Sequence, residues 1–133
     1  MKTPARAWRL LIVLWAGSLW SLLWVAAVLF HFQQDRHLAG VIAGRLFSIE
    51  TYLGLAAAAL ALMLPGRSRF RWGFFAAAVL AMNEWILKPF MNQALAGGHS
   101  LGLGFGAWHG ISAGLYLIAC LSVLLLVWQE DFR

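Results

Sequence analysis

Four long apolar runs, separated by short polar or helix-breaking segments, dominate the hydropathy pattern of the chain. They cover residues of about 9–32, 40–64, 70–89 and 101–128. Each run has the length of about 20 residues or more that an α-helix needs to cross the hydrocarbon core of a bilayer. The pattern therefore predicts an all-α fold: an integral membrane four-helix bundle that forms a single transmembrane domain.

The ends of these runs carry recognisable signals. Pro65-Gly66 ends the second run and Lys88-Pro89 ends the third, because proline lacks the backbone donor that a continuing helix uses. The stretch of residues 90–100 is rich in small and amide side chains and is predicted to be a loop. The first run lacks a small-x-small cleavage pattern, so we expect it to remain as the first span.

Composition narrows the function classes. Hydrophobic residues make up 62% of the 133 residues and charged residues only 11%, against roughly a quarter in soluble domains. This excludes a soluble enzyme. The net charge of +5 comes from basic residues clustered at the ends of the runs, so the expected partner is the lipid bilayer and not nucleic acid. Cys120 is the only cysteine, which excludes an internal disulfide.

Lysine and arginine are distributed unevenly between the two ends of the predicted bundle. Arg36 and Lys88 lie at one end, and seven basic residues lie at the other. Short loops rich in lysine and arginine stay in the cytoplasm, so both termini are predicted to be cytoplasmic. The seven are Lys2, Arg6, Arg9, Arg67, Arg69, Arg71 and Arg133.

Glycines recur every four residues in the fourth run. The series is Gly102, Gly106, Gly110 and Gly114, with a shorter repeat of small residues in the second run at Gly40, Gly44 and Ser48. Small residues at this spacing let transmembrane helices approach closely. We therefore expect the fourth-run stripe to be buried against another helix, most simply the second span.

Several polar side chains fall inside the predicted spans, in the outer half of the bilayer or near its centre. Ionisable groups there are costly and by default indicate a functional site. The charges cancel if Arg45 and Lys88 balance Glu50 and Glu84. This suggests a paired network in which His109 is the member that titrates near neutral pH. Two interpretations stay open: buried pairs that fix helix register, or a small polar cavity that binds a ligand or relays protons. The residues are Arg45, Glu50, Glu84, Lys88, His109 and Ser112.

Signals for metal binding and catalysis are sparse. His31 and His109 are the candidate metal ligands, and His31 lies in an outer loop segment where a solvated turn is the alternative interpretation. No phosphate-binding glycine loop, nucleophile elbow, zinc-protease helix or CxxC motif occurs in the sequence. We therefore predict no catalytic residues.

Three segments resemble bacterial members of the transmembrane protein 205-like family, also catalogued as domain of unknown function 4149. They are AGVIAGRLFSIE at residues 39–50, KPFM at 88–91 and WHGISAGLY at 108–116. The resemblance implies a four-helix inner-membrane protein without an established activity. The resemblance also favours a role for five residues that the matching segments contain: Arg45, Glu50, Pro89, His109 and Ser112.

Three functional hypotheses follow. The first is a non-catalytic membrane protein whose polar cluster binds or passes a small solute or proton. We expect it to act as a homo-oligomer, since four short helices leave little room for a pore. The second is a haem- or copper-linked redox protein that uses His109, with His31 as a second ligand. The third is a scaffold or assembly factor, which does not need a charge-balanced cluster.

Overall fold

A computed structural model describes the backbone of residues 3–64 and 67–131 and the side chains of residues 5–64 and 68–129. Helices α1 (Thr3–Phe32), α2 (Arg36–Met63) and α5 (Phe105–Asp131) each form one span. The third span starts in a 3-10 turn and continues as α3 (Arg71–Met82), a π-helical turn (Asn83–Leu87) and α4 (Lys88–Gly97). Four stretches are long and apolar enough to cross a membrane, which confirms the predicted all-α membrane fold: Ala5–Phe32, Arg36–Met63, Ser68–Gly97 and Phe105–Gln129.

The four spans form an antiparallel square. Helix α1 contacts α2 and α5, and α3 contacts the same two helices, so that α2 and α5 lie on a diagonal. We call the end at which α1 begins and α5 ends the terminal end. The opposite end, with the connections at residues 33–35 and 98–104, is the loop end. Large apolar side chains cover the outside of the bundle, as lipid contact requires.

The tightly packed core lies in the half of the bundle next to the terminal end. There the Trp15 and Phe70 rings stack with their centroids 6.0 Å apart. Hydrogen bonds tie α1 to α5 there. The Tyr116 hydroxyl donates to the Leu19 carbonyl at 2.7 Å, and the Trp20 indole donates to the Cys120 carbonyl at 3.3 Å. The most deeply buried large side chains are Phe70, Ile12, Leu19, Leu80, Leu126 and Val123.

The glycine stripe of the fourth run makes no interhelical contact within the described chain, so the expected packing against the second span is wrong. Gly102 precedes α5 in a turn, with φ +77°, and is not on a helix. Gly106, Gly110 and Gly114 are exposed, and a Cβ on any of them would meet nothing within 4 Å. The reason is the rotation of α5, whose opposite face is fixed by hydrogen bonds to the neighbouring spans. Helix α2, the expected partner, lies across the diagonal.

Close helix approach occurs instead at a glycine that the pattern did not single out. A Cβ on Gly54 of α2 would lie 3.0 Å from Cζ2 of Trp15 and 3.2 Å from Cδ1 of Leu80. Gly54 therefore lets α2 approach the large side chains of α1 and α3. Of the predicted pair in α2, Gly40 is exposed and Gly44 borders a cavity, and a Cβ on either would meet nothing within 4 Å.

The third and fourth spans differ from their predicted bounds. The third continues past Pro89 to Gly97, so that the predicted loop is mostly helix. A proline ring normally collides with the preceding helical turn, and the wider π-helical turn before Pro89 gives it room. The fourth span begins at Phe105 because Ser100 and Leu103 exchange two backbone hydrogen bonds around the Gly102 turn.

Replacement of Gly54 by leucine should destabilise the bundle, because the new side chain collides with Trp15 and Leu80. Overpacking of a filled core costs about 1 to 3 kcal/mol. The matched control is Gly110→Leu on the exposed face of α5, which should leave stability nearly unchanged. Denaturant titration of the purified proteins measures both. Equal loss of stability in the two variants would contradict the exposed placement of the glycine stripe.

Candidate functional site

A cavity of about 290 Å³ lies between the spans in the half of the bundle next to the loop end. It has room for about ten water molecules at ~30 Å³ each. Its walls come from the end of α1, the first half of α2, the π-helical turn with its flanks, and the start of α5. Small side chains such as Ala26, Ala43, Gly44 and Ala113 leave this space where bulkier residues fill the other half.

One wall carries an ion pair embedded between two spans. Lys88 Nζ lies 2.9 Å from Glu84 Oε1, one helical turn earlier in the third span. Ser48 of α2 joins them, since its hydroxyl donates to Glu84 Oε1 at 2.8 Å and accepts from Lys88 Nζ at 2.7 Å. The Glu84 side chain is 15% exposed and that of Lys88 38%. The three side chains therefore form a closed, charge-neutral group that links α2 to the third span.

A second polar pair joins the π-helical turn to α5. The Ser112 hydroxyl donates to Asn83 Oδ1 at 2.7 Å, and the Asn83 amide donates back to the Ser112 carbonyl at 3.2 Å. Both side chains line the cavity. A π-helical turn changes the directions of successive side chains and often marks a functional site. Here Asn83 bonds to α5 while its neighbour Glu84 bonds to α2.

His109 lies at the edge of the cavity on an exposed face of α5. Its ring stacks on that of Phe105, with the centroids 5.7 Å apart and the planes 22° apart. Deeper in the cavity, Tyr116 is 3% exposed and contacts Phe47 edge to face at 4.7 Å between centroids. The cavity thus combines aromatic walls with hydrogen-bonding groups.

The predicted network of four balanced charges is wrong. Arg45 is exposed and has no hydrogen bond or ion pair with any residue whose side chain is described, and it does not border the cavity. Glu50 is only 5% exposed, and Ser18 of α1 donates to its Oε1. Its Oε2 has no hydrogen-bond partner within residues 5–64 and 68–129. Arg45 and Glu50 are five residues apart and so point about 140° away from each other.

The six predicted polar residues therefore divide into two sets. The cavity brings together Glu84, Lys88, His109 and Ser112, and it leaves out Arg45 and Glu50. His31 is exposed at the end of α1 against the ring of Phe32 and does not line the cavity. Across the described part of the chain, no three His, Cys, Asp or Glu side chains are grouped as a metal site would require.

Two residues of the site were missed in the sequence. Ser48 was considered only as a small residue following Gly40 and Gly44, and Asn83 was not considered. Both are polar residues inside apolar runs, and Asn83 directly precedes Glu84. That signal was present. The π-helical turn orients Asn83 towards α5 and Glu84 towards α2, and no pattern in the sequence indicates this turn.

Comparison with known proteins adds a family. The model of a family described as a domain of unknown function (DUF4149) matches residues 10–129, which includes all four spans. No curated protein and no solved structure matches the chain.

Loss of one charge from the embedded pair should destabilise the bundle more than loss of both. Glu84→Gln leaves Lys88 without its counter-ion, and Lys88→Gln leaves Glu84 without its own. We expect each single change to cost on the order of 1 kcal/mol, since Lys88 is partly exposed and exposed pairs are weak.

The double variant Glu84→Gln, Lys88→Gln should recover part of that loss, because two amides can bond to each other. Denaturant titration of the four proteins gives the coupling energy of the pair. Strictly additive losses would contradict the pairing of Glu84 with Lys88.

Proposed function

We propose that this chain, which belongs to the DUF4149 family, is a non-catalytic integral membrane protein that binds a small solute in the cavity at its loop end. The observation that carries the proposal is the position of the polar side chains. In a bundle made almost wholly of apolar residues, Asn83, Glu84, Lys88, His109 and Ser112 border the same 290 Å³ space.

The geometry favours binding over passage through the bundle. Below the cavity, towards the terminal end, large apolar side chains fill most of the interior, beside the buried pair of Glu50 and Ser18. Leu19 and Val123 are fully buried there, and Leu80 is 2% exposed. A solute or a hydrated proton would need a polar path through this layer. A closed end and one polar wall are the features of a binding pocket.

A purely structural role is the main alternative, since Ser48, Glu84 and Lys88 also hold α2 against the third span. Scaffolding, however, does not need space around these groups. A polar pair that only fixes helix register is better enclosed by side chains than set beside a cavity. The open volume therefore supports binding.

Native mass spectrometry of protein released from lipid nanodiscs tests whether the cavity is occupied. Wild-type protein should carry a bound small molecule, and Gly44→Leu should lose it, because a leucine there fills the cavity without a collision at Cβ. The matched control is Gly17→Leu in α1, an exposed glycine away from the cavity with equally open surroundings. Equal retention in both variants, or no ligand in wild type, would overturn the proposal.

The same preparation tests the redox alternative. A visible haem band or bound copper that disappears in His109→Ala would replace our proposal with a haem or copper protein that uses this histidine. Partner proteins captured equally by wild type and Gly44→Leu, with no small molecule bound to either, would instead favour a scaffold.

We further propose that the protein is a bacterial, transmembrane protein 205-like member of the family, and that it resides in the inner membrane as a homo-oligomer with both termini in the cytoplasm. The orientation is supported by the seven lysines and arginines assigned to the terminal end against Arg36 and Lys88 towards the loop end. Of the seven, Lys2, Arg67 and Arg133 lie outside the residues whose side chains are described. With this orientation, the cavity lies in the outer half of the bilayer.

Reporter fusions test the orientation. A fluorescent reporter that folds only in the cytoplasm should be active at either terminus, whereas a periplasmic phosphatase should be active when inserted in the connection at residues 98–104 and inactive at either terminus. Phosphatase activity at either terminus would contradict the proposed topology.

A further inference from the structure

We infer that the solute is a small, uncharged amphiphile that dissolves in the membrane and reaches the cavity sideways, through a gap between α1 and α5. The inference rests on the proposed binding function and adds the ligand class and its route. Three features carry it: the exposure of the cavity-lining residues, the neutral charge of the polar wall, and the size and composition of the cavity.

The exposure of the lining residues locates the opening. Ala27 and Phe30 of α1 line the cavity and are exposed, as are His109 and Ala113 of α5. The lining residues of α2 are more covered, with Ala43 only 4% exposed. The gap therefore lies between α1 and α5, where these two helices carry small or exposed side chains.

This gap lies at the depth of the lipid chains. Ala27 is five residues from the end of α1 and Ala113 is eight residues from the start of α5. At a rise of about 1.5 Å per residue, they lie about 8 and 12 Å from the helix ends. Nearer the terminal end the same two helices are joined by the bond from Tyr116 to Leu19. A solute that enters through the gap comes from the hydrocarbon layer.

The charge of the cavity wall favours an uncharged solute. Within the described set of lining residues, Glu84 and Lys88 are the only Asp, Glu, Lys or Arg side chains, and they bond to each other at 2.9 Å. A charged ligand would find its counter-ion already engaged, and burial of an uncompensated charge is costly. The second oxygen of Glu84 is left to accept a hydrogen bond, and the ring of His109 is left to accept or donate one.

The size and composition of the cavity favour a ring or a short chain with one polar group. Its volume of about 290 Å³ is at the lower end for small-molecule pockets. Phe30, Phe47 and Tyr116 provide aromatic surface, and Asn83 and Ser112 provide polar atoms. A phospholipid is too large for this space, which sets the expected ligand apart from the surrounding bilayer.

Three probes with the same ring and different charges test the ligand class. Naphthol is neutral, naphthoate is an anion and naphthylmethylammonium is a cation. Binding to wild-type protein in nanodiscs of a neutral lipid is measured by calorimetry, with empty nanodiscs as the blank. Naphthol should bind at least about tenfold more tightly than either ion. Equal or tighter binding of an ion would overturn the uncharged class.

Variants at the gap test the route. Ala27→Trp narrows the opening and should slow naphthol association at least about tenfold, measured by stopped-flow fluorescence. Ala59→Trp, an exposed α2 position that does not line the cavity, is the control and should leave the association rate unchanged. An unchanged rate in Ala27→Trp would overturn the sideways route. A Gly44→Leu variant that binds naphthol as wild type does would show that the probe is not in the cavity.

These outcomes separate the inference from the proposed function. Suppose that mass spectrometry finds a ligand that Gly44→Leu excludes. If that ligand is charged, or if Ala27→Trp leaves the association rate unchanged, the binding function stands and the inference fails. If wild-type protein carries no ligand and binds no probe, both fail.

Discussion

Hydrocarbon cannot form hydrogen bonds, so polar groups inside the spans are stabilised by partners within the protein, and this constraint orients the helices towards one another. Helix α5 shows the effect most clearly. Tyr116 bonds to α1, Ser112 bonds to the π-helical turn, and the Trp108 indole donates to the Ser100 carbonyl at 3.0 Å. These bonds fix the rotation of α5 about its axis. Its glycines consequently face away from the other three spans.

The same constraint explains how a cavity persists in a small bundle. The Ser48, Glu84 and Lys88 group and the Asn83 and Ser112 pair hold three spans at fixed separations by bonds between side chains. Small residues between these attachment points leave the interior open, whereas large aromatic and aliphatic residues fill the half near the terminal end. A filled half provides stability and an open half provides space for a ligand. The division is visible within single helices: α1 contributes Trp15 to the core and Ala26 to the cavity.

Much of the fold was predictable because length and hydropathy decide it. Four apolar runs of sufficient length admit few arrangements in a bilayer, and all four were found. The glycine stripe was misjudged because a repeat of small residues shows only that one face of a helix is smooth. It does not show which helix, if any, packs against that face. In the site, Glu84 and Lys88 are one turn apart in sequence and were predictable neighbours. The separation of Glu50 from that pair was not predictable. It depends on which neighbouring helix each carboxylate faces, and the sequence does not indicate this. Glu50 bonds to Ser18 of α1, and Glu84 to Ser48 of α2.

The central claim is that polar side chains from the third span and α5 border an open cavity that holds a ligand. An experimental density map of the protein in lipid nanodiscs tests it most directly. The account predicts non-protein density between α1, α2, the π-helical turn and α5, within hydrogen-bond distance of His109, Glu84 or Ser112. A map in which Phe30 and His109 fold inward and close the space, with no density between the helices, would contradict it.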